Sequence, residues 1–452
     1  MSENVLAILL AAGEGTRMKS SLPKVLHKVG GLPMVSHVIK ALDASGCGDI
    51  AVVVGNQAER VSKTIADFGD NIETYVQTER LGTAHAVLAA EGAISKCEPE
   101  YVIIAYGDTP LVTPKLFDTI LVALKSDADV TVLGFETENP FGYGRLLTEG
   151  NELVAIREEQ DASEEERKVK LCNSGIMGVR GAHVLDLLKS VGCENAKSEY
   201  YLTDIVELGR SRGLNVAAVV GDEVDTLGVN NRIELAEAEG IFQERTRRQM
   251  MTDGVTLIDP SSTIFSFDTK IGQDTIIEPN CVFAPGVEIA SNVEIKANTY
   301  LEGDLKKKLI VKVASGAVVG PFARLRPGAD LAEGVKIGNF CEVKNAKIDK
   351  DAKVNHLTYI GDATIGEGAN IGAGTITCNY DGFDKFQTTI GKGAFVGSNS
   401  SLVAPVTIDD GAFVGSGSVI TKSIPEDALG ISRSRQQNKP GWVAKFRALK
   451  KK

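Results

Sequence analysis

No two of the seven cysteines in this chain, at positions 47, 97, 172, 193, 281, 341 and 378, form a CxxC pair, so neither a zinc site nor a disulfide framework is expected and the thiols read as reduced. A net positive charge is lacking as well. The formal charge is −11 at pH 7 and the cationic runs are short, such as Lys450-Lys451-Lys452, so no nucleic-acid partner is expected. Negative ligands must be met locally, by a few Arg or Lys side chains, backbone N–H groups and a divalent cation. Long apolar runs are missing too. Val5 to Ala12 is too short to cross a bilayer and no basic segment precedes it, so no membrane contact and a cytoplasmic location are expected.

What the chain does have is length and two textures. At 452 residues it exceeds what one core organises, so two or three domains are expected. Over residues 1–230, strand-like apolar runs alternate with helical segments: Val5 to Leu10, Pro33 to Ala44, Ile50 to Gly55, Val61 to Phe68, Tyr101 to Tyr106 and Val130 to Phe135. That alternation predicts an α/β, Rossmann-like domain with a largely parallel sheet and ligands at the strands' carboxyl ends. Residues 231–253 are rich in Glu, Arg, Ala and Gln without Pro, which predicts an exposed helical linker or, alternatively, the last helix of the first domain.

A second domain with a C-terminal tail is expected over residues 254–452, and after Asp259 an aliphatic residue recurs there every sixth position. One register runs Ile271, Ile277, Phe283, Ile289, Ile295, Leu301; a second runs Val313, Val319, Leu325, Leu331, Ile337, Val343. After a one-residue slip come Ile348, Val354, Ile360, Ile365 and Ile371, then Ile390, Val396, Leu402, Ile408, Val414 and Ile420. Six is the period neither of a helix nor of an alternating strand. It fits a parallel β-helix, each hexapeptide one short face and three faces a coil, here the left-handed hexapeptide-repeat prism. Lys306 to Lys308 and Asn379 to Thr388 interrupt it, and loops on regular scaffolds often carry function.

The end of the first strand runs into Leu10-Ala11-Ala12-Gly13-Glu14-Gly15-Thr16-Arg17-Met18, followed by Leu22-Pro23-Lys24. A Gly-rich turn there offers backbone N–H groups to phosphates, and Arg17 and Lys24 add charge. The segment matches the LxxGxGTxMxxxxPK signature of sugar-1-phosphate nucleotidyltransferases. Gln77 with Leu81-Gly82-Thr83, Tyr106-Gly107-Asp108, Gly142-Tyr143-Gly144-Arg145, Glu158, Asn173 and Asn230-Asn231 follow in that family's order. With the hexapeptide segment, the whole chain resembles the bifunctional N-acetylglucosamine-1-phosphate uridyltransferase/glucosamine-1-phosphate acetyltransferase family.

The resemblance implies a UTP and UDP-N-acetylglucosamine site at Leu10, Ala11, Ala12, Gly13, Lys24, Gln77, Gly82, Thr83, Tyr106, Gly107, Asp108, Gly144, Glu158, Asn173 and Asn230. Arg17 and Lys24 would hold phosphates, Gln77, Gly82 and Thr83 the uracil, Gly144, Glu158 and Asn173 the sugar, and Asp108 with Asn230 a Mg²⁺ ion. A sugar phosphate is already ionised near pH 7, with a second pKa of about 6, so it attacks without a general base.

His356 is one of five histidines and sits in Val354-Asn-His-Leu-Thr-Tyr359, where the repeat favours small or aliphatic residues. Acetyl transfer to an amino sugar needs a neutral amine, and an imidazole is suited to take its proton. The resemblance makes His356 the base, with Arg326, Lys344, Tyr359 and Asn370 on the amino-sugar phosphate. It puts acetyl-CoA against Asn379, Tyr380, Ser398, Ser416 and Arg433, although the family's pattern has Ala where Ser416 stands. It also implies a homotrimer whose tail, Gln436 to Lys452 with the single Trp442, reaches over a neighbouring site. The residues alone leave open a pyrophosphorylase whose prism only holds an oligomer together, or a scaffold with both folds and no activity.

Overall fold

The computed structural model describes residues 4–55, 57–149, 152–195 and 197–450. Lys451 and Lys452 of the basic end lie outside them. The chain divides into two units at Phe242/Gln243, inside the helix Arg232–Thr252.

The strands of the first unit form where apolar runs occur; the central ones are buried on both faces, as in a helix-covered parallel sheet, and the edge ones only in part. They are β1 (Val5–Ala11), β2 (Asp49–Val54), β3 (Ile72–Val76), β4 (Tyr101–Tyr106), β5 (Val130–Glu136), β6 (Arg145–Glu149), β7 (Glu152–Arg157), β8 (Leu171–Arg180) and β9 (Val216–Gly221). The sheet order is β9-β5-β8-β4-β1-β2-β3, with the β6–β7 hairpin attached to β8. β1 runs parallel to β2 and β4, and Leu10 stands beside both Val53 and Tyr106. The carboxyl ends of β1, β2 and β4 therefore share one edge. β8 is the exception to the parallel sheet: the chain returns from the hairpin and enters antiparallel between β4 and β5. Its register breaks between Asn173 and Met177, a local irregularity of the kind that re-aims side chains beside sites.

The second unit is the left-handed parallel β-helix of hexapeptide proteins. Residues eighteen apart stack in register, Ile277 on Ile295 and Phe283 on Leu301, which is three hexapeptides per coil. Of the aliphatic positions in the repeat, all are buried except Ile271, which is partly exposed beside the first coil. The slip has a structural counterpart. Ile337 pairs with Val354 and Val354 with Ile371, seventeen apart, because the corners at Asn345 and Asp362 are one residue shorter. Each interruption is a small hairpin, closed by antiparallel bridges at Asp304/Leu309 and at Tyr380/Lys385.

A stack of strands exposes unpaired backbone at its first coil. The side chain of Gln243 meets that need: its Nε2 donates to Phe265 O (2.7 Å) and its Oε1 accepts from Phe265 N (2.9 Å), as another peptide unit would. Arg247 Nε donates to Thr263 O at 2.9 Å. Gln243→Leu leaves both buried Phe265 groups unpaired, and chemical denaturation is expected to register a loss of about 2 kcal/mol or more.

Candidate functional sites

The nucleotidyltransferase motif lines a cleft of about 370 Å³ at the carboxyl edge of β1, β3 and β4. Its walls include Leu10, Ala11, Ala12, Gly13, Lys24, Gln77, Gly82, Thr83, Tyr106 and Asp108. Each arrives by a local rule. The Gly-rich turn follows β1, and Gly15 takes φ +63 with Lys24 so close that a Cβ would lie 2.5 Å from that lysine's own Cβ. Gln77 follows β3 directly, its N–H donating to Val54 O at 2.9 Å. Gly107 donates its N–H to Leu10 O (2.9 Å), which sets Asp108 beside the Gly-rich turn.

Lys24 Nζ pairs with Asp108 Oδ2 and reaches Asn230 Oδ1 at 3.2 Å, so residues 24, 108 and 230 converge on one point. The donors there are a carboxylate and an amide oxygen. Hard cations take oxygen ligands, and Mg²⁺ keeps several waters and phosphate oxygens, so two protein donors suit it. No group of three or more His, Cys, Asp or Glu able to hold a metal occurs among the described residues.

Gly144, Glu158 and Asn173 form a second cluster. Asn173 N donates to Gly144 O (2.8 Å), and a Cβ on Gly144 would sit 3.6 Å from both Glu158 Oε1 and Asn173 Cβ. Burial raises the Glu158 carboxyl above its ordinary range, against the pull of Lys197 and a hydrogen bond from Thr203. Burial also pushes the Tyr106 phenol up, with Asp108 and then Glu158 adding to it, so Tyr106 lies between the two clusters. The neighbouring Arg145 is 1 % exposed; it donates to Tyr143 O and Glu159 Oε2 and so fixes the loop that carries Gly144.

Arg17 is exposed on the turn and does not line the cleft. Arg80 and Glu199 do line it, and neither was expected; Arg80, ion-paired to Glu14, adjoins the Leu81-Gly82-Thr83 motif, which was the available signal.

In the second unit the coil register sorts the expected residues into columns. Asn339 pairs with His356, and continuing the register sets Ala373, Ser398 and Ser416 above them along one edge. Successive members stand about 4.8 Å apart, the inter-strand spacing. Arg433 follows at the top, its Cδ near Gly417. His356, Ser398, Ser416 and Arg433 are all exposed along this edge.

Round the corner, Arg326 and Lys344 occupy one column, and Tyr359 stands beside it with its hydroxyl over Gly361, where a Cβ would come within 2.3 Å. Arg326 pairs with Glu342 at 2.7 Å. Lys385, unexpected from the sequence, comes from the inserted hairpin to lie beside Lys344. Burial, then Lys385 and Arg326, lower the Lys344 ammonium's pKa against the pull of Asp362. Asp362 was also missed. Burial acts to raise its carboxyl, but hydrogen bonds from Asn345 and Asn379 and the nearby Lys344 and Lys385 outweigh burial and hold it below the ordinary range. That carboxylate ties the base of the hairpin, Asn379, to the two coils below it. Tyr380 is exposed on the hairpin. Asn370 is not brought to this cluster: it begins the strand face whose far end carries the His356 column.

The tail forms the helix Trp442–Lys450, with Trp442 stacked on Phe446 (5.1 Å) and every residue exposed. No helix among the described residues is long and apolar enough to cross a membrane.

Comparison with known proteins matches residues 7–169 to the MobA-like NTP transferase domain and residues 268–303 and 387–422 to the bacterial transferase hexapeptide (six repeats). The chain is 54 % identical over 447 residues to the bifunctional protein GlmU of Agrobacterium fabrum, covering 99 % of this chain and 97 % of that one. It is 58 % identical to the GlmU of Chelativorans sp., covering 96 % and 94 %, and 51 % identical to that of Azorhizobium caulinodans, covering 100 % and 99 %.

Proposed function

Since the chain belongs to the family of bifunctional GlmU proteins, we propose that it makes UDP-N-acetylglucosamine in two steps, one in each unit. Acetyl-CoA first acetylates glucosamine-1-phosphate in the second unit. UTP then transfers its uridylyl group to N-acetylglucosamine-1-phosphate in the first, releasing pyrophosphate. The observation that carries the reading is the pair of constellations on one chain: Lys24, Asp108 and Asn230 at the mouth of a sheet, and His356 in line with Ser398, Ser416 and Arg433 on a prism edge.

In uridylyl transfer a sugar-phosphate oxygen attacks the α-phosphorus as the bond to pyrophosphate breaks. The main barrier is bringing two anions together. Asp108 and Asn230 would hold Mg²⁺, which when bound neutralises phosphate oxygens. Lys24 and Arg17 supply further positive charge, Gln77 with Gly82 and Thr83 receives the base, and Gly144, Glu158 and Asn173 receive the sugar.

In acetyl transfer the sugar amine attacks the thioester carbon and gives its proton to His356. The C–N bond forms, the C–S bond breaks, and the coenzyme leaves as a thiolate that takes up a proton. Arg326, Lys344 and Lys385 offer three cations to the substrate's phosphate, and Tyr359 flanks them. Acetyl-CoA would lie along the serine edge, with Arg433 at its phosphate end and Asn379 and Tyr380 near the thioester. Seven unpaired thiols suit a reducing cytoplasm.

A homotrimer is part of this reading. One corner of the prism is formed throughout by residues in the left-handed backbone region, and its column reads Asn280, Asn298, Phe322, Phe340, Leu357, Gly374, Asn399, Gly417. Asn and Gly suit that conformation. The three large apolar residues do not, and they are 50 %, 55 % and 63 % exposed, with Phe322 stacked on Phe340. Such a cost at adjacent coils is consistent with a contact between copies, and a neighbouring copy would supply Asn370 and the tail helix to the acetyl site. Phe340→Asp is expected to dissociate the trimer in sedimentation velocity and to abolish most acetyl transfer while uridylyl transfer continues.

The test of the whole reading is one mixture of the chain with glucosamine-1-phosphate, acetyl-CoA, UTP and Mg²⁺. N-acetylglucosamine-1-phosphate is expected first, then UDP-N-acetylglucosamine with one pyrophosphate each. Acetylation without pyrophosphate, or the converse, would discard one half of it.

A further inference from the structure

The nitrogen of His356 that takes the proton depends on what holds the other one, and the coil register supplies that group. Asn339 lies seventeen residues earlier, one short coil below, and pairs in register with His356. Its Oδ1 stands 2.9 Å from His356 Nδ1. We propose that Asn339 is the positioning residue for the acetyl-transfer base, accepting the Nδ1–H so that the lone pair of Nε2 faces the substrate amine. The inference rests on the reading of His356 as base.

Three features support it. A neutral imidazole carries one N–H, so an acceptor at Nδ1 puts the proton there and leaves Nε2 as the only basic nitrogen. The backbone of His356 is fixed independently, since its carbonyl accepts from Thr358 Oγ1 (2.7 Å) and Gly374 N (3.3 Å). What remains to be set is the ring, which is exposed on this chain, and Asn339 bonds it. Asn339's own carbonyl accepts from Leu357 N at 3.0 Å, which locks the backbone beneath the amide. The short coil matters here. With eighteen residues in the turn, the residue in register below His356 would be Gly338, which has no side chain to offer.

The experiment compares Asn339→Leu, Asn339→Asp and His356→Ala in the full chain, with both half-reactions assayed at mildly alkaline pH. Asn339→Leu is expected to lower the acetyl-transfer kcat about 10- to 100-fold, the scale on which partners of this kind act, with KM for both substrates within about twofold. Asn339→Asp keeps an acceptor and removes the amide donor, so it is expected to recover most of that loss. Uridylyl transfer is the internal control and stays unchanged. A wild-type kcat in Asn339→Leu, or an Asn339→Asp enzyme as slow as Asn339→Leu, overturns the assignment. If His356→Ala itself acetylates normally, the base reading fails first and the inference falls with it; if only His356→Ala is slow, the base stands and Asn339 is not its support.

Discussion

Asp108→Asn is expected to lower uridylyl transfer by about 10³-fold while leaving acetyl transfer intact. The substitution keeps the shape of the side chain and removes its charge. Asp108 pairs with Lys24 and, through it, meets Asn230, so one carboxylate serves both as counter-charge to the lysine and as an anionic donor at that point. Charge stabilisation of two approaching phosphates accounts for several kcal/mol, and each ~1.4 kcal/mol is tenfold in rate. The loss therefore falls on kcat, read as pyrophosphate release. Asp108 belongs to the first unit, and none of the residues assigned to acetyl transfer does, so the second activity reports that the rest of the chain is sound. A variant within tenfold of the parent rate would remove Asp108 from the metal and return it to the role of a turn residue after β4.

Much of this was legible in the sequence because the relevant interactions are either local or periodic. The Gly-rich turn is a local feature, and ten of the residues expected in the nucleotide site line one cleft. The six-residue period is a packing rule repeated over many coils, and the buried rows follow from it. What escaped notice lies in contacts between coils. Asp362 joins Asn345 to Asn379, and Asn339 joins His356, across a coil length that is eighteen in most turns and seventeen in these. The repeat marks where the slips fall but not which side chains face one another across a shortened coil. Lys385 escaped for another reason, since its position depends on the fold of an inserted hairpin that the repeat does not describe. Gln243 looked like one more polar residue of a charged helix, yet it closes the first coil. The antiparallel strand β8 was hidden because an apolar run carries no mark of its direction.

His356→Ala is expected to reduce acetyl transfer by about 10²- to 10⁴-fold, the usual contribution of a positioned general base, with uridylyl transfer unaffected. The variant is a clean one. His356 is exposed on its edge, so truncation opens no cavity, and the backbone bonds from Thr358 and Gly374 to its carbonyl persist. The melting temperature is accordingly expected to hold, and the loss appears in kcat. Binding is expected to persist, since the proposed phosphate contacts, Arg326, Lys344 and Lys385, and the proposed coenzyme edge do not need the imidazole. What remains is the rate that proximity alone provides, and this residual rate is expected to climb with pH as solvent takes over the amine's proton. A flat residual profile, or a loss smaller than tenfold, would mean that the amine arrives already deprotonated and that the histidine serves only to shape the edge.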